Sequence, residues 1–161
     1  MKVISGGQTG ADQAGLFVAK KIGLETGGWA PKNWMTSNGP QKNILEGYNL
    51  IESEKGYKGR TWENIRDSNA TIRLAVDFNS PGEICTLEGI NYYKKPWLDI
   101  DLLDPKPLQE ALEFLILVKP RILNIAGNTE GTRGYRIFES VNDYLMPLLF
   151  EYKRRFIKEK V

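Results

Sequence analysis

The sequence predicts an α/β fold in three layers (α/β/α), with a mostly parallel sheet of about five or more strands. Short apolar segments alternate along the chain with longer segments in which apolar residues recur every three or four positions. Loops that contain glycine follow several of the short segments. Alternation of strands and helices favours parallel pairing, because each crossover helix returns the chain to the same end of the sheet.

The first elements form a strand–loop–helix unit. Residues 2–4 predict a strand, and residues 11–22 predict a helix with Ala14, Val18 and Ile22 on one face. Gly23 ends this helix, and residues 24–29 predict a second strand. Residues 30–59 show no period and are interrupted by proline and glycine, so we predict a long irregular loop. Loops of that length in compact domains are often functional.

The second half of the chain repeats the alternation with clearer patterns. Asp104 and Pro105 mark the start of one helix, which ends at Lys119 and Pro120. Pro147 should kink the last helix, which is expected to reach about Lys158. The remaining predicted elements are a short helix over 61–68, a strand over 70–76, a helix over 84–93, and strands over 97–100 and 121–126.

Composition predicts one domain over residues 1–161. Apolar residues make up 41% of the chain and charged residues 26%, which is typical of a soluble globular protein. The formal net charge of +2 gives no reason to expect nucleic acid as a partner. No apolar run is long enough to span a membrane and no signal peptide is evident, so we expect a cytoplasmic protein. The basic residues 153–160 predict a solvated helix tail.

Histidine is absent and Cys85 is the only cysteine, which limits the catalytic and metal-binding chemistry available to the chain. Nucleophiles activated by histidine are excluded, as is an internal disulfide. We therefore predict no metal site and assign no catalytic residue. Cys85 follows Pro81 and Gly82, where a helix dipole could lower its pKa, but a buried inert thiol is the simpler interpretation.

Three loops with glycine, at residues 5–10, 79–82 and 127–134, follow predicted strands. Ligands of parallel α/β sheets bind at the carboxyl ends of the strands. Backbone amides in such loops, together with the helix N-termini that follow, suit an anion such as phosphate. The predicted phosphate-binding residues are Gly6, Gly7, Gln8, Thr9, Gly10, Asp12, Ser80, Pro81, Gly82, Thr86, Gly127 and Asn128.

Further polar and aromatic residues are candidates for the lining of the pocket. Arginine and lysine would balance a phosphate, and tryptophan could stack on a flat ring or close the edge of the core. The polar residues before the strand at 70–76 could line the mouth of the crevice or cap a helix. The candidates are Trp29, Lys32, Arg60, Asn64, Arg66, Asp67, Ser68, Glu88 and Arg133.

Each of these features also has a purely structural interpretation. Thr9 and Asp12 fit a capping box, in which Thr9 caps the first helix and Asp12 reaches back. Ser80, Pro81 and Gly82 could form a simple turn. The first loop is neither a Walker motif, because Leu16 and Phe17 replace its lysine and hydroxyl residue, nor a dinucleotide fingerprint.

Four blocks of sequence resemble a known family. The blocks are GGQTGAD at 6–12, GGWAPK at 27–32, TWENIRDSNAT at 61–71 and LNIAG at 123–127. Together, and in this order, they resemble the proteins called "putative molybdenum carriers". That family is similar to a Rossmann-like superfamily that includes nucleoside-monophosphate phosphoribohydrolases formerly called lysine decarboxylases.

The resemblance implies a Rossmann-like parallel sheet, a homo-oligomer, and a carrier that binds a phosphorylated heterocycle. That ligand would be the molybdenum cofactor (molybdopterin) or a nucleotide. One alternative is a nucleotide N-glycosidase that uses Glu88 or Asp12 as acid or base, and another is a nucleotide-sensing module. The phosphoribohydrolase motif PGGxGTxxE is here PGEICTLEG at 81–89, so Glu88 stands one position early. That displacement argues against hydrolysis.

Overall fold

The computed structural model describes residues 1–157 and confirms the three-layer α/β architecture. Six parallel strands form the central sheet, and a hairpin of two strands, each two residues long, lies apart from it. The strands are β1 (Lys2–Ile4), β2 (Glu25–Ala30), β3 (Met35–Thr36), β4 (Gly39–Pro40), β5 (Leu50–Glu52), β6 (Ala70–Ala75), β7 (Trp97–Asp101) and β8 (Ile122–Gly127). The helices are α1 (Ala11–Lys21), α2 (Lys42–Gly47), α3 (Tyr57–Arg66), α4 (Pro81–Tyr93), α5 (Leu108–Val118) and α6 (Ile137–Phe156).

The strand order of the sheet is β5-β2-β1-β8-β6-β7. The chain begins at β1, moves outward through β2 and β5, and then crosses to β6 and β7 on the other side. β8 returns last and lies between β1 and β6, with Ile4 of β1 opposite Asn124 of β8. The winding direction reverses at this place. Sheets of this kind hold their ligands in the crevice at such a switch point.

One face of the sheet carries the main apolar core. Leu123 and Ile125 of β8 point to this face and are fully buried, as are Val141 and Leu145 of α6. Helices α1, α5 and α6 pack together over it. The alternation of side chains in β8 follows from the two-residue period of a strand.

The opposite face, beneath α3 and α4, is unusually polar. Asn124 of β8 is buried there and donates to the hydroxyl of Thr71 over 3.2 Å. Arg73 of β6 forms two hydrogen bonds with Asp99, at 2.8 and 2.7 Å, and a third with the Glu83 carbonyl at 3.0 Å. Buried polar groups need such partners, and the polar face therefore suits a site more than a core.

The prediction of an irregular segment over residues 30–59 is wrong. This segment contains the β3–β4 hairpin, helix α2 and strand β5, which pairs with β2 in parallel. These elements have two to six residues each, too few for hydrophobic periodicity to reveal them. The sixth strand of the sheet was missed for this reason.

Several helix boundaries also differ from the prediction. Helix α3 begins at Tyr57 rather than at residue 61, and α4 begins at Pro81 rather than at residue 84. Proline suits the first turn of a helix, because its missing N–H has no helical partner there. Helix α6 is continuous through Pro147 and ends at Phe156. Lys158, the predicted end, and Lys160 lie outside the described residues.

Candidate functional site

A small cavity lies at the switch point, between the carboxyl ends of β1 and β8 and the two helices α3 and α4. Its volume is about 20 Å³, which is room for about one water molecule. Each of the three predicted glycine loops, or the helix that follows it, contributes to the wall. The lining residues are Gly6, Gln8, Asp12, Tyr57, Arg60, Thr61, Asn64, Thr86, Asn124, Ile125, Ala126 and Gly127.

Arg60 of α3 is the central cation of this cavity and is only 3% exposed. Its guanidinium has two close neighbours. The carbon at its centre lies 4.6 Å from the centroid of the Tyr57 ring, and a Cβ at Gly6 would be 1.7 Å from Nη1. Glycine at position 6 therefore makes room for the arginine.

The carboxylate of Asp12, in the first turn of α1, is the counter-ion of Arg60. The Arg60 Nη1 and Asp12 Oδ2 atoms are 3.6 Å apart, and both side chains are more than nine-tenths buried. The Nε and Nη2 atoms of Arg60 are buried without a hydrogen-bond partner. Two unpaired charged donors in a buried site carry a substantial free-energy cost unless a further acceptor joins them.

Burial raises the pKa of Asp12 to about 6, although Arg60 and the amides of Gln8 and Gly6 act in the opposite direction. The Gln8 amide donates to Asp12 Oδ2 over 3.2 Å. Desolvation thus outweighs the arginine, because the carboxylate is shielded from water. The cavity contains a carboxyl group that titrates close to neutral pH.

Several amides in and next to the first loop form hydrogen bonds within the protein. The amide of Gly7 donates to Ser5 Oγ at 3.3 Å, that of Thr9 to Gln8 Oε1 at 3.0 Å, and that of Ala11 to the Asn128 carbonyl at 3.1 Å. Arg60 and the hydroxyl of Thr61, which is also buried without a hydrogen-bond partner, therefore supply free donors of the cavity.

The prediction that Thr9 caps the first helix is wrong. Gly10 is the N-cap of α1, and no side chain caps the helix. The Thr9 hydroxyl instead lies 2.5 Å from the hydroxyl of Ser37. Asp12 does reach back, but to Gln8. The loop is fixed from outside by the hairpin, because Gln8 Oε1 also accepts the Ser37 amide at 2.8 Å.

Asn128 fixes the third loop to the end of β6. Its Oδ1 accepts the amides of Val76 and Asp77 at 2.7 and 3.0 Å, and its Nδ2 donates to the Asp77 carbonyl at 2.9 Å. Gly127 precedes it with a φ of 156°, where a Cβ would be 1.9 Å from the Leu74 carbonyl oxygen. Asn128 supports the cavity and does not line it.

The start of α4 forms the outer wall. Thr86 lines the cavity, and its hydroxyl donates to the Gly82 carbonyl at 3.0 Å. Ser80 is the N-cap without a side-chain hydrogen bond, and Pro81 opens the helix. A Cβ on Gly82 would be 2.6 Å from the Tyr57 hydroxyl, so Tyr57 covers this helix end closely.

Glu83, one turn from Thr86, is 2% exposed, and its Oε1 has no hydrogen-bond partner. Burial raises its pKa to about 8, against the effect of Arg73, so the side chain is largely neutral at pH 7. Cys85 is half-buried, and its pKa is raised by burial, which agrees with an inert thiol.

Other sequence candidates lie outside the cavity, among them a surface group next to β2. Trp29 donates its indole N–H to Asp67 at 2.8 Å, and Arg66 forms an ion pair with the same carboxylate. Asn64, which lines the cavity, holds Trp29 through two backbone hydrogen bonds at 2.9 and 3.0 Å. Ser68 donates to the Ile65 carbonyl and so terminates α3.

Five further candidates serve structural roles or lie in solvent. Lys32 is exposed, and Glu88 forms an exposed ion pair with Lys58 at 3.5 Å. Arg133 pairs with Asp77 at 3.3 Å. Gly7 packs under Leu45 and Leu50, and Gly10 lies against the backbone of residues 128–130. None of these residues lines the cavity.

Five lining residues were not singled out from the sequence, namely Tyr57, Thr61, Asn124, Ile125 and Ala126. The last three belong to the end of β8. The available signals were the polar Asn124 within an apolar strand and the family blocks at 61–71 and 123–127, which contain four of the five residues. No sequence signal pointed to Tyr57, because the segment before it has no hydrophobic period that would place the start of α3 there. The start of α3 determines where Tyr57 lies.

This geometry defines a Rossmann-like α/β protein with a candidate anion site, a buried arginine, at the switch point of its sheet. The chain belongs to the circularly permutated YpsA SLOG family, whose model matches residues 3–149. The resemblance found in the sequence is confirmed by a crystal structure, that of a "putative molybdenum carrier protein" from Syntrophus aciditrophicus SB. That structure superposes with a TM-score of 0.81 at 33% identity, over 92% of this chain and 94% of the other.

None of the curated proteins compared with this chain matches it significantly. Within residues 1–157, no cluster of three or more histidine, cysteine or acidic side chains is arranged to hold a metal ion. In the same part of the chain, no helix has both the length and the apolar character needed to cross a bilayer.

Proposed function

We propose that this protein binds the phosphate group of a phosphorylated heterocycle in the Arg60 cavity, and that it acts as a carrier and not as a catalyst. The observation that carries this proposal is the guanidinium of Arg60, buried with two donors that have no partner. Arginine presents its donors as a planar fork that matches the oxygens of a phosphate. A phosphate would supply the missing acceptors.

The position of the cavity supports the same ligand. It lies at the carboxyl ends of β1 and β8, next to the N-termini of α1 and α4, which favour negative charge. A volume of about 20 Å³ is too small for a phosphate, so the ligand must displace a side chain. Tyr57 is the candidate, because it is 45% exposed and covers both Arg60 and Gly82. Once displaced, its ring is available to stack on the heterocycle.

The molybdenum cofactor is one ligand of this class, and a nucleotide is the other. The solved relative is named a molybdenum carrier, which supports the former. The unpaired donors of Arg60 fit the phosphate end of that cofactor. The described residues, 1–157, offer no side-chain cluster for the metal itself. We further propose, from the resemblance, that the carrier is a homo-oligomer, which sedimentation equilibrium would test.

The experiment is a thermal-shift and calorimetric titration with AMP, GMP, inorganic phosphate and the molybdenum cofactor. A specific ligand should raise Tm as its concentration exceeds Kd. Native mass spectrometry of the purified protein would identify a ligand that copurifies. The absence of any shift and of any bound molecule would refute the proposal.

Variants at two arginines of the same helix make the test specific. Arg60→Met should abolish binding, whereas Arg66→Met should leave it unchanged, because Arg66 is exposed and pairs with Asp67. Arg60→Lys keeps the charge but loses the fork, and it should bind at least tenfold more weakly. Equal binding by all three variants would exclude the Arg60 cavity.

A nucleotide N-glycosidase is the second candidate, and one observation favours it. Asp12 lines the cavity and has a pKa of about 6, close to the value that general acid catalysis requires. Glu88, the other predicted acid, does not line the cavity and is paired with Lys58. Release of adenine from AMP, lost in Asp12→Asn, would support the enzyme. A lack of turnover over a panel of nucleoside monophosphates would remove it.

A further inference from the structure

In the candidate site, the carboxylate of Asp12 is already a negatively charged neighbour of Arg60. Its Oδ2 accepts the Gln8 amide at 3.2 Å and faces Arg60 Nη1 at 3.6 Å. An entering oxyanion would meet Arg60 through Nε and Nη2, on the same guanidinium that neutralises Asp12. Two anions would then share one buried cation. Two like charges beside the same guanidinium in a low dielectric cannot both remain ionised at little cost.

We propose that, at neutral pH, each oxyanion bound in the cavity is accompanied by the uptake of one proton from solvent onto the carboxylate of Asp12. This inference rests on the proposed anion site and specifies how the site is regulated. The protonated carboxyl group becomes a hydrogen-bond donor, so it stops repelling the ligand and gains the ability to bind it. Anion binding therefore strengthens as pH falls.

Among the titratable groups around Arg60, Asp12 is the one that can accept the proton. From α3, Arg60 stays charged, and burial raises the pKa of Tyr57, so its hydroxyl stays neutral. From α4, Glu83 and Cys85 also have pKa values raised by burial, with Glu83 at about 8. The loop over residues 5–10 and strand β8 contribute no titratable side chain. Asp12 is thus the group that is ionised at neutral pH and nearest to the arginine.

The pKa of about 6 sets the lower end of the pH range in which binding and protonation are coupled. Below that pH, Asp12 is already protonated, and binding should not depend on pH. Above it, each pH unit should weaken binding by about tenfold, since one proton must be taken up at a falling proton concentration. A second anion near Arg60 raises the pKa of Asp12 in the complex, which extends the effect above pH 7.

The test uses sulfate as the probe, because sulfate has no proton of its own to lose between pH 5.5 and 8. Its Kd for the full chain is measured by calorimetry across that range. We expect a constant Kd below about pH 6 and a rise of about tenfold per unit above it. Asp12→Asn should bind sulfate with no pH dependence, and Glu83→Gln should retain the dependence of the unmodified protein.

A second measurement does not rely on variants. Titrations at pH 7.5 in two buffers of different ionisation enthalpy should report the uptake of about one proton per sulfate. A Kd that is independent of pH, with no proton uptake, would overturn this inference while leaving the anion site intact. So would a pH dependence that persists in Asp12→Asn and disappears in Glu83→Gln. Failure of sulfate, phosphate and AMP to bind at any pH would instead refute the proposed function itself.

Discussion

The guanidinium of Arg60 occupies the space that a side chain at Gly6 would need. A Cβ at Gly6 would lie 1.7 Å from Nη1 and 2.6 Å from Cζ of Arg60. These two residues are 54 positions apart in the chain. In the fold, the Arg60 side chain can take this position only because residue 6 has no side chain. The first glycine loop therefore contributes to the site chiefly by leaving room for the Arg60 guanidinium beside Gly6.

Gly6→Ala should displace the Arg60 side chain and weaken anion binding by at least tenfold. The free energy of unfolding should fall by about 1–3 kcal/mol, because Asp12 loses its buried partner. Gly47→Ala is the matched control, because Gly47 has open space around it at the end of α2. Urea denaturation and calorimetry would measure both effects. Binding by Gly6→Ala equal to that of Gly47→Ala would contradict the contact.

Arg60→Met should raise the pKa of Asp12 above its value of about 6. Arg60 is the charge that lowers this pKa, and without it the desolvation of the buried carboxyl group is opposed only by two amides. Carbon-detected NMR of labelled aspartate side chains would follow the titration. Arg66→Met, which removes a charge at the exposed end of the same helix, should leave the Asp12 curve unchanged. An unchanged pKa in Arg60→Met would show that the two side chains are not coupled.

Glu83→Gln should change how stability depends on pH. In the native state, burial raises the pKa of Glu83 from 4.5 to about 8, so the folded protein holds this proton more tightly than the unfolded chain. Its contribution to stability is full below about pH 4.5 and is lost as pH rises through 8, at up to about 1.4 kcal/mol per unit.

Glutamine at position 83 removes this contribution. Glu83→Gln should therefore gain stability relative to the unmodified protein as pH rises from 5 to 8. Denaturation series at four pH values would show the divergence. Parallel curves for the two proteins would mean that Glu83 is ionised in the fold. Glu88→Gln, an exposed acid of the same helix, is the control.

Asn128→Ala should lower the free energy of unfolding by about 1–3 kcal/mol. The side chain makes three hydrogen bonds to the backbone of Val76 and Asp77, and its loss leaves those groups without partners beside the cavity. Asn91→Ala, at an exposed position of α4, should be nearly neutral. Hydrogen exchange at the Val76 amide should accelerate only in Asn128→Ala. Protection that is unchanged there would exclude the hydrogen bond from the Val76 amide to the Asn128 side chain.

The long periodic elements could be predicted from the sequence, and the short ones could not. Helix α5 and strand β6 match their predictions within a few residues, because burial of one face imposes a regular pattern. Strand β5 has three residues and is held by its pairing with β2, so its identity depends on a neighbour. Tyr57 escaped notice for the same reason, since only the beginning of α3 brings it over Arg60.

Local patterns along the chain determined the class of fold, the glycine loops and the resemblance to the molybdenum carrier family. Arg60 was among the candidate cations, but no feature of the sequence distinguished it from Lys32, Arg66 and Arg133. Only the tertiary structure distinguished them, because burial and counter-ions arise from segments that are distant in the chain. Of these four, Arg60 is buried against Asp12 with unpaired donors, whereas Arg66 pairs with Asp67, Arg133 pairs with Asp77, and Lys32 is exposed.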